Sequence, residues 1–308
     1  FLKKNKKLFG VKTIYGQMPD WNPAEIIGTC PRMLSYSLYK KLITNNIWKK
    51  SRFLMGYNNP HEKNLMVSFG GQPYIDVRLS LNSFLPSKLP ERIKEKLVNH
   101  WIEQLKLNPV LHDKIEFDLA ITCFSFDLDK KIKNLVSNSL SKNEKKIYIE
   151  SLKNHIKKLV NLENIQNLEK KLNKIENLKY DLKNFELKEI KKNINICITY
   201  GTLVFSMLAR HGFIGKTLLL SLKENKILAN KKIDFFLQSI KTITSEFLND
   251  FNFIKSSKKQ KKIFLDKYGH LRPGTYNILS KRYDQQPNLT DSKKKSKRIS
   301  HNSFSLSR

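Results

Sequence analysis

The chain has 308 residues, enough for about two domains around a sizeable buried core. Its 58 Lys and Arg outnumber 27 Asp and Glu, a formal charge of +31; because the basic residues are spread evenly, this is weak support for a nucleic-acid groove, and nucleic acid is not an expected partner. Three distant cysteines, Cys30, Cys123 and Cys197, exclude a disulfide framework and CxxC metal spacing, and no apolar run reaches the roughly 18 residues of a membrane span.

The lysine-rich N-terminus has no apolar signal core, so a cytoplasmic location with reduced thiols is expected. The sequence starts at Phe1 without an initiating Met, as expected of a fragment, a processed product or an incompletely read frame.

In chain order, "DWNPAEIIG" is the first helix signal. Asn22 stands at the N-cap, Pro23 at the first helical position, Glu25 three residues on to close a capping box, and Gly28 as terminator. A second helix is predicted from Pro31, with Met33, Leu34, Leu38 and Leu42 at helical spacing. The period then changes. "LMVSF" and "YIDVRLSLNSF" alternate, placing Ile75, Val77, Leu79 and Leu81 on one strand face and Asp76, Arg78, Ser80 and Asn82 on the other. A helix is predicted over Pro90–Leu107. "KIEFDLAITCF" alternates again, with Ile115, Phe117, Leu119 and Ile121 inward and Glu116, Asp118 and Thr122 opposite, so this strand is expected in the same sheet.

From about Ser141 the pattern is helical. Ile165, Leu168, Leu172, Ile175, Leu178, Leu182 and Phe185 predict a long arm within about 141–192, as a hairpin or short coiled coil. "ICITYGTLVFSMLARHGFIGKTLLLSL" is apolar nearly all round and predicts a buried central helix, broken near Gly201 or Gly212. "KKIDFFLQSIKTITSEFLNDF" predicts a further amphipathic helix. The expected class is α+β: a small mixed or antiparallel sheet region over 1–130, then a mainly α-helical bundle with its arm over 131–289. Residues 290–308 have the composition of a disordered basic tail.

Several segments suggest chemistry. "HGFIGKT" is not a P-loop, because Arg210 stands where the pattern requires the first Gly and the segment lies inside a helix. His112 beside Asp113 lacks further His ligands. Carboxylates at Glu116 and Asp118 on one strand face can hold Mg²⁺ against phosphate oxygens; a solvated sheet face is the other reading. "KYGHLRPGTYNI" is a turn-rich loop in which His270 can move protons, Arg272 can bind phosphate or carboxylate, and Tyr276 adds a hydroxyl. A structural corner with a local Arg272 ion pair fits the same residues.

Taken in order, "IYGQMPDWNPAEIIG", "SLYKKLITNNIW", "SFGGQPYIDVRLSLNSFLP", "LHDKIEFDLAITCFSFDLD", "YGTLVFSMLARHGFIG" and "KYGHLRPGTYNILSKRYDQQP" resemble the phosphoenolpyruvate-synthase-like proteins with a PEP/pyruvate-binding domain. The similarity runs from about Val11 to Leu289, with gaps in the arm. Its last element is also similar to the "GHRGPGE" segment of phosphoenolpyruvate-utilising phosphotransferases, with a Gly and the Glu replaced. The resemblance implies a cytoplasmic transferase using ATP and Mg²⁺, with phosphoenolpyruvate or pyruvate as substrate, in which an ATP-grasp domain and a swivelling phosphohistidine domain pass a phosphoryl group. It implies Glu116, with Asp118, as metal ligands; Arg78, Asn82, Arg210 and Tyr276 as phosphate or substrate contacts; Arg272 and His270 as catalytic groups; and Asp20, Trp21, Asn22, Pro23 and Glu25 as a structural motif. A "GGxxSH" phosphohistidine element is absent, and His301 in "RISHNS" does not replace it. The chain is thus expected to be the central portion of a larger phosphotransferase, without a complete active site of its own. The alternative is a non-catalytic basic helical module binding RNA or an anionic partner; an inactive remnant is a third.

Overall fold

The computed structural model describes residues 8–61, 64–136, 139–176, 186–254, 257–272 and 280–286. They form an α+β fold, mainly helical with a small antiparallel sheet. It divides into two compact units, Phe1–Leu222 and Lys223–Arg308, and the division expected after residue 130 lies inside the first.

The first unit opens with β1 (Tyr15–Gly16) and α1 (Pro23–Ile27), which begins at the expected proline and ends at Gly28, φ 89°. The expected capping box does not form. Asn22 is left-handed, φ 42°, and its amide donates to Glu25 Oε2 at 3.1 Å instead of capping a backbone N–H. Next, α2 (Met33–Tyr39) continues into a π turn, Lys40–Thr44, and α3 (Ile47–Leu54) follows. The apolar face predicted for α2 is open, with Met33 83% and Leu34 70% exposed; Tyr39 is the residue that packs inward, and its hydroxyl donates to the Trp21 carbonyl.

β2 (Met66–Phe69) and β3 (Gln72–Asp76) form a hairpin whose two-residue turn is Gly70–Gly71. Their φ values of 55° and 80° are what a tight hairpin needs and what side chains resist. The sheet order is β1-β3-β2, so β1 and not residues 115–121 supplies the third strand.

The strand predicted through "YIDVRLSLNSF" ends at Asp76. There the chain turns into α4 (Val77–Ser83), capped by the Asp76 carboxylate, which accepts from Leu79 N–H at 3.1 Å. Val77, Leu79 and Leu81 are buried as expected, but so are Ser80, Asn82 and Ser83. A helix buried on every side imitates strand alternation when its polar residues are small.

α5 (Glu91–Leu107) begins after Pro90 and is the centre of the main core. Leu97, Val98, Trp101 and Ile102 pack there with Phe9, Val77 and Leu81. Residues 115–119, expected in a strand, form a π turn with Ile115 and Leu119 buried; Phe117 is 50% exposed rather than inward. α6 (Leu128–Leu135) precedes α7 (Lys142–Leu159), whose start is fixed by a Ser141–Glu144 capping box and whose Tyr148 and Leu152 enter the same core.

α8 (Leu162–Glu176) realises the first part of the arm, with Leu168 buried; Leu178, Leu182 and Phe185 lie outside the described residues. α9 (Leu187–Ile196), a π turn at Cys197–Thr202 and α10 (Leu203–Glu224) form one helix of 38 residues. The expected irregularity is present at Gly201 and absent at Gly212.

The expected all-round burial of this helix is not found. In its most apolar window 22% is buried, with Phe205, Phe213 and Leu220 exposed while Ser206, Arg210, Ile214 and Ser221 face inward. With a mean hydropathy of 1.3 in that window, it is long and apolar enough to cross a membrane by length and composition, which the short uninterrupted apolar runs did not suggest.

In the second unit, α11 (Asn230–Ser239), α12 (Ile243–Phe253) and α13 (Lys258–Tyr268) precede a 3₁₀ turn at Tyr283–Gln285. Phe264, Tyr268 and Ile254 form its core with Phe247, Phe251 and Tyr283.

Candidate functional site

The first unit buries two arginine–carboxylate pairs around one aromatic ring. Arg52, on the inner face of α3 one turn after Trp48, binds Asp20 with both terminal nitrogens, Nη1 to Oδ2 at 2.8 Å and Nη2 to Oδ1. Ser80 Oγ donates to the same Oδ2 at 2.7 Å, and Arg52 Nη1 also reaches Ser83 Oγ at 2.6 Å. Arg210, on the inward stripe of α10, donates from Nη1 to Glu116 Oε2 at 3.1 Å. Its Nε and Nη2 donate to Tyr57 Oη at 3.1 and 3.0 Å, and Nη2 also reaches the Thr122 carbonyl at 3.2 Å. The side chains of this second pair are 6% and 12% exposed.

Both guanidinium groups lie over the Phe84 ring, that of Arg52 at 3.8 Å from its centroid and that of Arg210 at 5.1 Å. The π-system of the ring attracts cations held over it. The hydroxyl of the fully buried Tyr57 donates to the Thr122 carbonyl at 3.3 Å. The edge of the His155 ring packs on it at 4.2 Å between centroids, and His155 Nε2 is 2.7 Å from the Met55 carbonyl, so Nε2 carries the proton.

Burial sets the protonation preferences. It pushes the Glu116 carboxyl up, opposed by the neighbouring Arg210 charge. It acts to lower Arg210, but Tyr57 and Glu116 together hold the guanidinium charged, above its ordinary value. It also raises the Cys123 thiol, which is therefore protonated at neutral pH and unsuited to act as a nucleophile.

Glu116 opens onto a cavity of about 550 Å³, a size that accommodates small-molecule ligands. The cavity also has Thr122, Cys123, Lys131, Lys216 and Thr217 in its lining. Lys131 bridges to Asp127 at 3.2 Å and to Ser125 Oγ at 3.2 Å, whereas Lys216 is exposed with no partner among the described residues. Phe117 and Phe213, 5.1 Å apart and edge to face, add aromatic surface to the lining.

Of the residues singled out in sequence, Glu116, Arg210 and Asp20 belong to this cluster. Trp21 contributes a carbonyl to Tyr39, and Pro23 is buried at the start of α1. Asp118 is exposed but lines the same cavity as Glu116, so these two carboxylates share one opening although on a π turn rather than a strand, whereas Asp76 caps α4 instead. Arg78 donates from Nε to the Phe9 carbonyl at 3.0 Å and from Nη2 to the Leu8 carbonyl at 3.1 Å. Asn82 accepts from Phe9 N–H at 2.9 Å and donates back to its carbonyl at 2.9 Å. Both side chains therefore tether the segment before β1 rather than line the cavity.

His270 and Arg272 belong to the second unit. His270 is exposed; Arg272 Nε donates to the Ser280 carbonyl at 3.0 Å. The start of the loop is clasped to the 3₁₀ turn, with Asp284 N–H on the Gly269 carbonyl at 3.1 Å and Tyr283 N–H on the Leu271 carbonyl at 2.9 Å. Tyr276 lies outside the described residues.

Sequence reasoning missed Arg52, Tyr57, Ser80 and His155. One signal for Arg52 was available, since it stands four residues after Trp48 and so shares the face that Trp48 buries.

Among the described residues no group of three or more His, Cys, Asp or Glu converges to hold a metal. Two carboxylates, Glu116 and the exposed Asp118, line the cavity, and one Glu116 oxygen is already taken by Arg210, so an entering Mg²⁺ would need phosphate oxygens for most of its other ligands. No family model matches the chain, and neither a curated protein nor a solved structure proves similar to it.

Proposed function

We propose that the chain is part of an ATP- and phosphoenolpyruvate-linked phosphotransferase resembling the phosphoenolpyruvate-synthase-like proteins, with its phosphate-handling site in the cavity beside Glu116. One observation carries this reading. Glu116 and Arg210 stand 94 residues apart in two of the motifs that carry the resemblance, and they meet as a buried ion pair at a cavity whose lining includes Lys131 and Lys216. Phosphoryl transfer needs little covalent chemistry from protein and much positioned charge, and a dry arginine–carboxylate pair beside two lysines is charge of that kind.

In this reading Arg210 holds the Glu116 carboxylate at the cavity, Lys131 and Lys216 meet phosphate oxygens, and Mg²⁺ enters with the nucleotide. The transfer also requires the ATP-grasp and phosphohistidine domains, in the same or a separate chain. Arg272 and His270 act where the second unit meets one of those domains. The test is pyruvate-dependent phosphoryl exchange with the chain assembled with such domains. Arg272→Ala and the double variant K131Q/K216Q are each expected to lower turnover at least about a hundredfold while leaving the far-ultraviolet spectrum unchanged. Unchanged turnover in both would remove the proposal.

The alternative of a basic module is favoured by one feature, the run of Lys258, Lys259, Lys261 and Lys262 opening α13. Salt-dependent RNA binding that survives removal of residues 290–308 would support it, since such binding weakens steeply with salt when several phosphates are neutralised.

A further inference from the structure

A second cavity, about 600 Å³, lies in the first unit between the end of α3, residues 86–88 and α7. It shares no lining residue with the Glu116 cavity. Its lining is amphipathic. Leu54 and Ile147 are 55% and 38% exposed, and the buried Met55 and Leu159 also face it. The two lysines in its lining, Lys88 before α5 and Lys158 on α7, are exposed and have no acidic partner among the described residues. The one carboxylate, Glu150, accepts from the Asn154 amide at 3.0 Å. Two lysines therefore stand against one carboxylate around partly apolar surface.

The wall toward the ion-pair cluster is made by Gly56 and His155. Gly56 has φ 88°, and a Cβ there would sit 3.3 Å from His155 Nε2, so only glycine allows this approach. His155 is 8% exposed, and with Nε2 donating to Met55 its Nδ1 is a bare acceptor with no hydrogen-bond partner. Behind His155 is Tyr57, whose oxygen receives two of the Arg210 hydrogen bonds.

We infer that this cavity binds a small organic anion with an apolar body, its charge held by Lys88 and Lys158 and its body covering Leu54, Met55 and Ile147, and that occupancy is felt at Arg210 through His155 and Tyr57. The apolar surface supplies affinity and the two lysines select the charge. Nothing in this inference depends on the phosphotransferase reading, because the cavity is judged by binding alone.

The experiment uses the full chain with Met and Ile methyl labelling, 4-phenylbutyrate as the anionic probe and 4-phenylbutanol as its neutral counterpart. The carboxylate is expected to shift the Met55 and Ile147 methyl signals and the His155 ring protons saturably, with the alcohol at least about tenfold weaker. K88Q/K158Q should remove that advantage, and E150Q should strengthen carboxylate binding, neither change touching a buried group. Shifts that do not saturate, equal affinity for acid and alcohol, or an advantage that survives K88Q/K158Q would each overturn the inference.

Discussion

Replacing Arg210 by methionine tests how much of the first unit rests on the buried pair. Methionine keeps most of the stem volume but removes all four hydrogen bonds, to Tyr57 twice, to Glu116 and to Thr122. Glu116 then stays buried without its counter-charge. Breaking such a pair from one side costs about 3–5 kcal/mol, against which the exposure of 6% and 12% gives little relief. With a urea dependence of about 2–3 kcal/mol per molar, the unfolding midpoint should fall by roughly 1–2 M. All three tryptophans, Trp21, Trp48 and Trp101, belong to the first unit, so their fluorescence reports it selectively.

The charge assignment makes two further demands. E116Q and R210M should be non-additive by about 1–3 kcal/mol in a double-mutant cycle. In R210M the folded-state pKa of Glu116 rises further above its unfolded value, so the deficit of the variant should shrink as the pH falls toward that unfolded value, about 4.3. A loss under about 1 kcal/mol, or additivity within about 0.3 kcal/mol, would refute the coupled pair.

Other outcomes follow from the same geometry. D20N leaves Arg52 buried without a counter-charge and should cost about 3–5 kcal/mol by the same urea assay. His155 is held below its ordinary pKa by burial, with Arg210 and Lys158 adding repulsion, so the unfolded chain takes up its proton first. Stability from this residue is complete above the unfolded value of about 6.5 and declines as the pH drops below it; H155Q should flatten that decline between about pH 7 and 5, seen as urea midpoints that no longer diverge from each other. G56A forces a left-handed alanine against the His155 ring and should cost about 1–3 kcal/mol, measured by thermal unfolding.

Helix boundaries set by proline and glycine were readable in the sequence, as at Pro23, Gly28 and Pro90, because those residues act through their own backbone. The β2–β3 pair was readable from its alternation, but its end at Asp76 was not, because Val77, Leu79 and Leu81 carry the same alternation on through a helix buried on every side. The strand expected over residues 115–121 was not legible as a π turn, since Ile115, Leu119 and Ile121 are buried in either conformation and only the exposed Phe117 breaks the pattern.

For the site, Glu116 and Arg210 were each singled out, but their pairing was hidden. Glu116 was expected on a strand and Arg210 inside an apolar helix presumed buried all round, and no local period joins residues 94 apart. The inward stripe of α10 runs Ser206, Arg210, Ile214 and Ser221, while the phenylalanines point outward. Hydropathy ranks those faces in the opposite order, because it does not register that a guanidinium with four acceptor contacts is satisfied in the interior.

The most direct test of the phosphate-handling site is photolabelling of the chain, assembled with the ATP-grasp and phosphohistidine domains, with 8-azido-ATP and Mg²⁺, followed by peptide mapping. Label is expected within residues 115–125 and 213–220, displaced by ATP and lost in K131Q/K216Q. Label elsewhere on the chain, or label at those residues that ATP does not displace, would contradict it.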